Sequence, residues 1–125
     1  MNETIPSGIR LQQLIQSHYV EILDSEKNND KFLHLYDIGT YWVAFERSAC
    51  RLCRLFTNCE ISLFRIPAHP DYVVMASVPV DEAEVYFRKH RIFHDGNHRK
   101  VLSDSVLDAE NYCKWHELAV RSVLP

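Results

Sequence analysis

Apolar residues near the start of the chain recur with a helical period. Leu11, Leu14, Ile15, His18, Tyr19 and Ile22 fall three or four apart and form one stripe. Ser7 stands where an N-cap is wanted. The stripe predicts a helix from about Ile9 to Leu23. Asp24 to Lys31 (DSEKNNDK) has no apolar residue and reads as an exposed loop. Two dense apolar runs follow, Phe32 to Ile38 and Tyr41 to Phe45, on either side of Gly39-Thr40. They predict two strands joined by a tight turn. From Glu46 the period changes again. Ala49, Leu52, Cys53 and Phe56 share a helix face, with Arg47, Arg51 and Arg54 mostly off it.

The second half repeats the theme. Ile61 to Ile66 reads as a strand, and Pro67 to Asp71, with two prolines, as a turn. Tyr72 to Val78 (YVVMASV) reads as an inner strand ended by Pro79. Asp81 and Glu82 suit the first turn of a helix whose apolar face is Val80, Ala83, Tyr86, Phe87 and His90, with Arg88, Lys89 and Arg91 near its end. His94 to His98 is a turn with Gly96 left-handed, and Arg99 to Leu102 a short strand. Ser105-Val106-Leu107-Asp108 matches a capping box for a last helix running to about Val123, with Val106, Ala109, Tyr112, Cys113, His116 and Val120 as its buried stripe. The string predicts an α+β fold: one domain over residues 1–125, with a mixed or antiparallel sheet of four to five strands flanked by helices.

Composition narrows the function classes. A chain of 125 residues buries roughly two thirds of its unfolded surface. No apolar run approaches the roughly 20 residues of a membrane span. The N-terminus, with Glu3, lacks the pattern of a signal peptide, so a cytoplasmic protein is expected. The net charge of −3 is unlike that of an autonomous nucleic-acid binder. Its distribution is uneven. Residues 47–66 and 85–100 are basic blocks between acidic ones, and a shared face would let them hold a phosphate backbone.

Candidate chemistry is sparse. Cys50-Arg51-Leu52-Cys53 lacks the second pair that a zinc site needs and the surroundings of a redox pair, so Cys50, Cys53, Cys59 and Cys113 read as core thiols. His90 and His94 are four apart, but Gly96-Asn97 separates them from His98, and no metal is expected. Phe93 to Arg99 contains F-x-D-G-N-x-R, a fragment similar to the Fic nucleotidyl-transfer signature, but Arg91 stands where that motif has its catalytic His. No phosphate-loop, nucleophile-elbow or paired-carboxylate motif is present. The reading is a non-enzymatic chain without a cofactor.

Two segments together carry a resemblance. IGTYWVAFERSACRLCRLF (residues 38–56) resembles the signature of the N-terminal mismatch-recognition domain of the MutS DNA mismatch-repair family: Gly, acid, aromatic, any residue, Glu, then Leu-Phe and a helix. VMASVPVDEAEVYF (residues 74–87) is similar to a later stretch of that domain, with Met75-Ala76, Pro79, the helix start and Tyr86 in register. Residues 9–102 are covered, and 103–125 add a helix.

The resemblance implies a mixed sheet flanked by helices and an aromatic residue that wedges into the minor groove beside a mispaired base. Bending of the DNA offsets the unstacking. Gly39 matches the Gly, Thr40 the acid, Tyr41 the wedge and Val43 the Glu; Ser77 stands where the second segment has Gly. A Tyr ring can still stack. Val43 cannot make the hydrogen bond of a Glu, so discrimination of mismatches is expected to be lost. Arg47, Arg51, Arg88, Lys89 and Arg91 are the candidate phosphate contacts, chosen by charge. The implied function is a stand-alone module binding double-stranded DNA, without the ATPase of the family. The alternative is a protein-interaction module that kept the scaffold, for which an exposed patch around Trp42 or Trp115 would speak.

Overall fold

A computed structural model describes residues 7–67, 69–103 and 106–124. Helix α1 spans Ser7–Glu26, followed by strands β1 (Phe32–Asp37) and β2 (Tyr41–Phe45) and helix α2 (Glu46–Leu55). Strands β3 (Glu60–Phe64) and β4 (Val73–Pro79) precede α3 (Val80–Phe87), and the hairpin β5 (Ile92–Asp95) and β6 (His98–Leu102) precedes α4 (Ala109–Val123). The six strands form one sheet in the order β3-β4-β2-β1-β6-β5, every pair antiparallel. The fold is α+β, with one strand more than the four to five expected.

Alternation sorts the side chains onto two faces. Leu33, Leu35, Trp42, Ala44, Ala76, Val78 and Val101 pack against Ala49 and Leu52 of α2 and Ala83 of α3. Tyr36, Val43, Phe45, Val73 and Met75 pack against Ile22 of α1. The inner position expected for the 72–78 run is correct: β4 lies between β3 and β2.

Helix α1 departs most from the sequence reading. It includes Ser7 as a helical residue, where an N-cap was expected, and runs three residues past Leu23. His18 is exposed and pairs with Glu21, so the buried stripe passes through Leu14, Ile15, Tyr19 and Ile22 without it. The stretch 24–31 is not all exposed loop, because Glu26 and Asn29 are buried. The reason lies at α2. Strand β2 runs straight into that helix, whose N-cap Phe45 offers no side-chain oxygen. The missing cap comes from α1: the Glu26 carboxylate accepts from the Ser48 backbone N–H (2.8 Å) and from Ser48 Oγ (2.7 Å). Asn29 Nδ2 donates to Glu26 at 3.1 Å. Burial nevertheless outweighs these bonds and pushes the Glu26 carboxyl up to about 7.

Two further corrections concern the C-terminal part. Strand β5 was not expected, because Ile92-Phe93-His94-Asp95 holds only two apolar residues; it exists as the edge partner of β6. Helix α4 begins at Ala109, about one turn later than the capping box suggested. Its cap is Asp108, which accepts from the Asn111 N–H at 2.7 Å. Ser105 lies outside the described residues. Val106, Ala109 and Cys113 are exposed, and the inner side of the helix is Tyr112, Trp115, His116 and Ala119. Tyr112 O–H and His116 both bond the Glu46 carboxylate, the latter at 3.3 Å, which ties α4 to the start of α2.

Candidate nucleic-acid interface

The β1–β2 turn is braced from three sides. Ile38 N–H donates to Tyr41 O (3.1 Å) and Gly39 N–H to Asp37 Oδ1 (2.7 Å). Gly39 has φ +110°, where an L side chain is strained, and an added Cβ would meet Arg10 and Ser7 at 3.2 and 3.3 Å. The first turn of α1 supplies the brace: Ser7 Oγ shares a hydrogen bond with Thr40 Oγ1 (2.9 Å), and Arg10 donates to Asp37 O (3.3 Å). The β5–β6 turn adds Asn97 O, which accepts from Asp37 N–H at 2.8 Å. Val80 N–H, at the start of α3, donates to Thr40 O at 3.1 Å. Sequence reasoning missed Ser7, Arg10 and Asn97 in this role, because they are 33, 27 and 60 residues away from their partners or more.

Tyr41 leaves this turn as the first residue of β2, opposite Pro79, and is 39% exposed. Its ring is thus partly exposed beside a turn held by hydrogen bonds from α1, α3 and the β5–β6 turn. The other expected contacts are not gathered around it. Val43, two residues on along the same face, is 0% exposed and belongs to the core beneath α1. Its match to a base-reading Glu therefore does not place a side chain at a surface. Ser77 lies opposite Val43 within the sheet and is half-buried.

The cations divide into three groups. Arg51 is buried, donating to Phe32 O and Asn29 O at 2.9 Å each, so it serves the α1–α2 junction and is not a phosphate contact. Arg47 sits past the far end of β2, about 13 Å along the strand from Tyr41. Its guanidinium lies 5.0 Å from the Tyr112 ring centroid. Arg88, Lys89 and Arg91 are exposed between α3 and β5, with Arg88 3.7 Å from Glu84. Ile92 stands level with Val101 and Leu33, again at the end of the sheet away from the turn. The two basic blocks of the sequence thus do not form one surface with Tyr41. Arg10 lies beside the turn, and Arg99 lies 5.2 Å from the ring centroid of Trp42 on the opposite face of the sheet from Tyr41.

A cleft of about 910 Å³ runs from this turn between α1 (Arg10, Gln13, Glu21) and Tyr36, Asp95 and His98. Inside it the His98 ring stacks on Tyr36 with centroids 4.9 Å apart. No group of three metal-ligating side chains occurs among the described residues, and no helix among them is long and apolar enough to cross a membrane. The four cysteines are free, and the core position expected of them holds for Cys50, which is buried, but not for Cys113, which is exposed on the outer side of α4; Cys53 and Cys59 are half-buried.

Among known proteins, the chain is similar to the DNA mismatch repair protein MutS 2 of Haloarcula marismortui, with 30% identity over 95 residues. The match takes in 76% of this chain and 9% of that protein. No family model matches the chain, and no solved structure does. The chain is related in sequence to one region of a MutS 2 protein, a small part of its length.

Proposed function

We propose that the chain is a MutS-like module that contacts DNA at distorted or mispaired sites through Tyr41, without enzymatic activity of its own. The observation that carries this reading is the exposed Tyr41 ring on a turn whose backbone is held by Ser7, Arg10, Asn97 and Val80. A wedge must resist the base stack it parts, and a turn held from three elements does so without moving. The similarity to a region of a mismatch repair protein points to the same ligand. The role of Arg10 is to place a cation beside the ring. Discrimination among mismatches is not part of the proposal, because the core position of Val43 leaves no acid to read a base. Binding is therefore expected to follow deformability of the duplex, with bulged DNA bound before mismatched and mismatched before matched.

Fluorescence anisotropy at low salt with bulged, mismatched and matched duplexes tests this. Tyr41→Ala is expected to weaken binding to the bulged duplex by about tenfold while leaving the fold intact. Equal affinity of parent and variant for all three duplexes would sink the wedge.

A second reading, a protein-interaction module, draws on α4, whose outer face exposes Leu118 and Val123. Trp42 gives it no support, since that ring is buried.

A further inference from the structure

The part of the sheet face that α1 leaves uncovered carries rings and cations together. Cross-strand register sets Phe93, Lys100 and His34 in one row and Asp95, His98 and Tyr36 in the next. The rings are already layered. His98 lies between Tyr36 (4.9 Å, 10°) and His34 (5.0 Å, 20°), and His34 Nδ1 and His98 Nε2 share a hydrogen bond of 2.9 Å. Lys100 Nζ stands 4.0 Å from the centroid of Phe32. Phe93 is 55% and Leu102 53% exposed. His34 and Tyr36 are themselves buried, so Phe93, with the half-buried Phe32 and His98, is the ring surface that these strands offer to solvent.

The charges facing this surface can be counted. Burial pushes His34 down to about 4 and lowers His98 in spite of Asp95, so both rings are neutral near pH 7. Lys100 and Arg91, the latter just ahead of β5, are the cations, and neither has a carboxylate within ion-pair distance among the described residues. Asp95 is the acid on the same face, at the turn end, and Glu21 faces it across the cleft. Arg10 also lines the cleft at the turn end, so that end carries both signs, whereas Lys100 and Arg91 stand at the Phe32, Phe93 and Leu102 end.

Ring faces beside unpaired cations suit a chain that offers flat apolar faces and anions alternately. Unpaired nucleotides do this. A duplex does not, because its base faces are stacked away and only edges reach the groove. We propose that this face binds a short single strand of nucleic acid, with bases stacked on Phe93 and Phe32 and phosphates on Lys100 and Arg91. Phe93 and Phe32 lie two strands apart, roughly 10 Å, which is room for two or three nucleotides. This site is separate from Tyr41 and does not depend on that residue's role.

The test is anisotropy at low salt with fluorescein-labelled oligo-dT and oligo-U of about ten nucleotides, against a duplex of the same length. The parent is expected to bind one or both single strands more tightly than the duplex; the two single strands tell DNA from RNA. Phe93→Ala is expected to weaken that binding by about tenfold, and Phe93→Trp to retain it. Lys100→Gln is expected to lower the slope of log affinity against log salt by about 0.7. Tyr41→Ala should leave single-strand binding unchanged, which separates this site from the wedge. Phe93 and Lys100 stand on the surface, and circular dichroism confirms that the variants fold. The proposal is overturned if the parent binds neither oligonucleotide, or if Phe93→Ala and Lys100→Gln bind as the parent does. It is also overturned if sedimentation shows a dimer that Phe93→Ala dissolves, which would assign the face to a second copy.

Discussion

One face of the sheet is two surfaces. Beneath α1, Val43, Phe45, Val73 and Met75 are buried. Beyond it, the same alternation on β6 and β5 places His98, Lys100, Leu102 and Phe93 in contact with solvent. The alternation is the same on all these strands, but the residues it turns to this face are apolar beneath α1 and include His98, Lys100 and Asp95 beyond it. Cover is decided by where α1 is fastened: at its start through Ser7 and Arg10 to the β1–β2 turn, at its end through Glu26 to the backbone of Ser48. A helix held at both ends can shield the strands beneath it and no others. The lesson is that the position of a residue on an alternating strand says which face it takes, and a distant helix says whether that face is core or site.

The contrast can be broken most severely at Val43. Val43→Glu would set the acid expected of the resembled signature into the covered half, and burial of an unpaired carboxylate there is expected to cost about 4 kcal/mol or more. Leu102→Glu, on the bare half, is expected to stay within about 0.5 kcal/mol. Urea melts of the two variants give the difference directly. Near-equal costs would mean that α1 does not cover β2 in solution.

A smaller effect tests the fastening at the end of α1. Because burial holds the Glu26 carboxyl at about 7 against 4.5 when unfolded, the folded chain binds more protons between those values, and stability contributed by this group falls as pH rises through them. Glu26→Gln removes that decline. Its stability relative to the parent is expected to rise by roughly 3 kcal/mol across this window and to be level outside it. Melts at a series of pH values check it, and a difference independent of pH would place Glu26 in water. The comparison between parent and variant matters here, since His34, depressed to about 4, pulls the parent's own curve the opposite way.

The smallest of these effects concerns the other fastening. Gly39→Ala forces a side chain into φ +110° against Arg10 and Ser7. It is expected to cost about 1–2 kcal/mol, with faster amide exchange at Thr40 and the first turn of α1. A neutral result would mean that the turn and α1 are not coupled.

Much of the architecture was legible beforehand because it rests on local periods. The strand–turn–strand–helix order from Phe32 to Leu55, the inner 72–78 strand, the 80–87 helix and the left-handed Gly96 all follow from spacing and turn chemistry. Tyr41 at the mouth of a turn was legible for the same reason. The burial of Glu26, Asn29 and Arg51 was not, because nothing local in a polar loop or an arginine marks it as the partner of a helix that lacks its own cap. Nor was β5, whose short mixed sequence becomes a strand only by pairing with β6.

What the sequence by itself determined, then, is the set of elements, the face each side chain takes, and a ring on a constrained turn, since these depend on neighbours within a few residues. What only the tertiary structure decided is which face is covered. That turns on hydrogen bonds between Ser7 and Thr40, 33 residues apart, and between Glu26 and Ser48, 22 residues apart. Contacts that distant leave no period in the chain. They nonetheless make Val43 core, remove Arg51 from the surface, and leave Phe93 and Lys100 facing solvent.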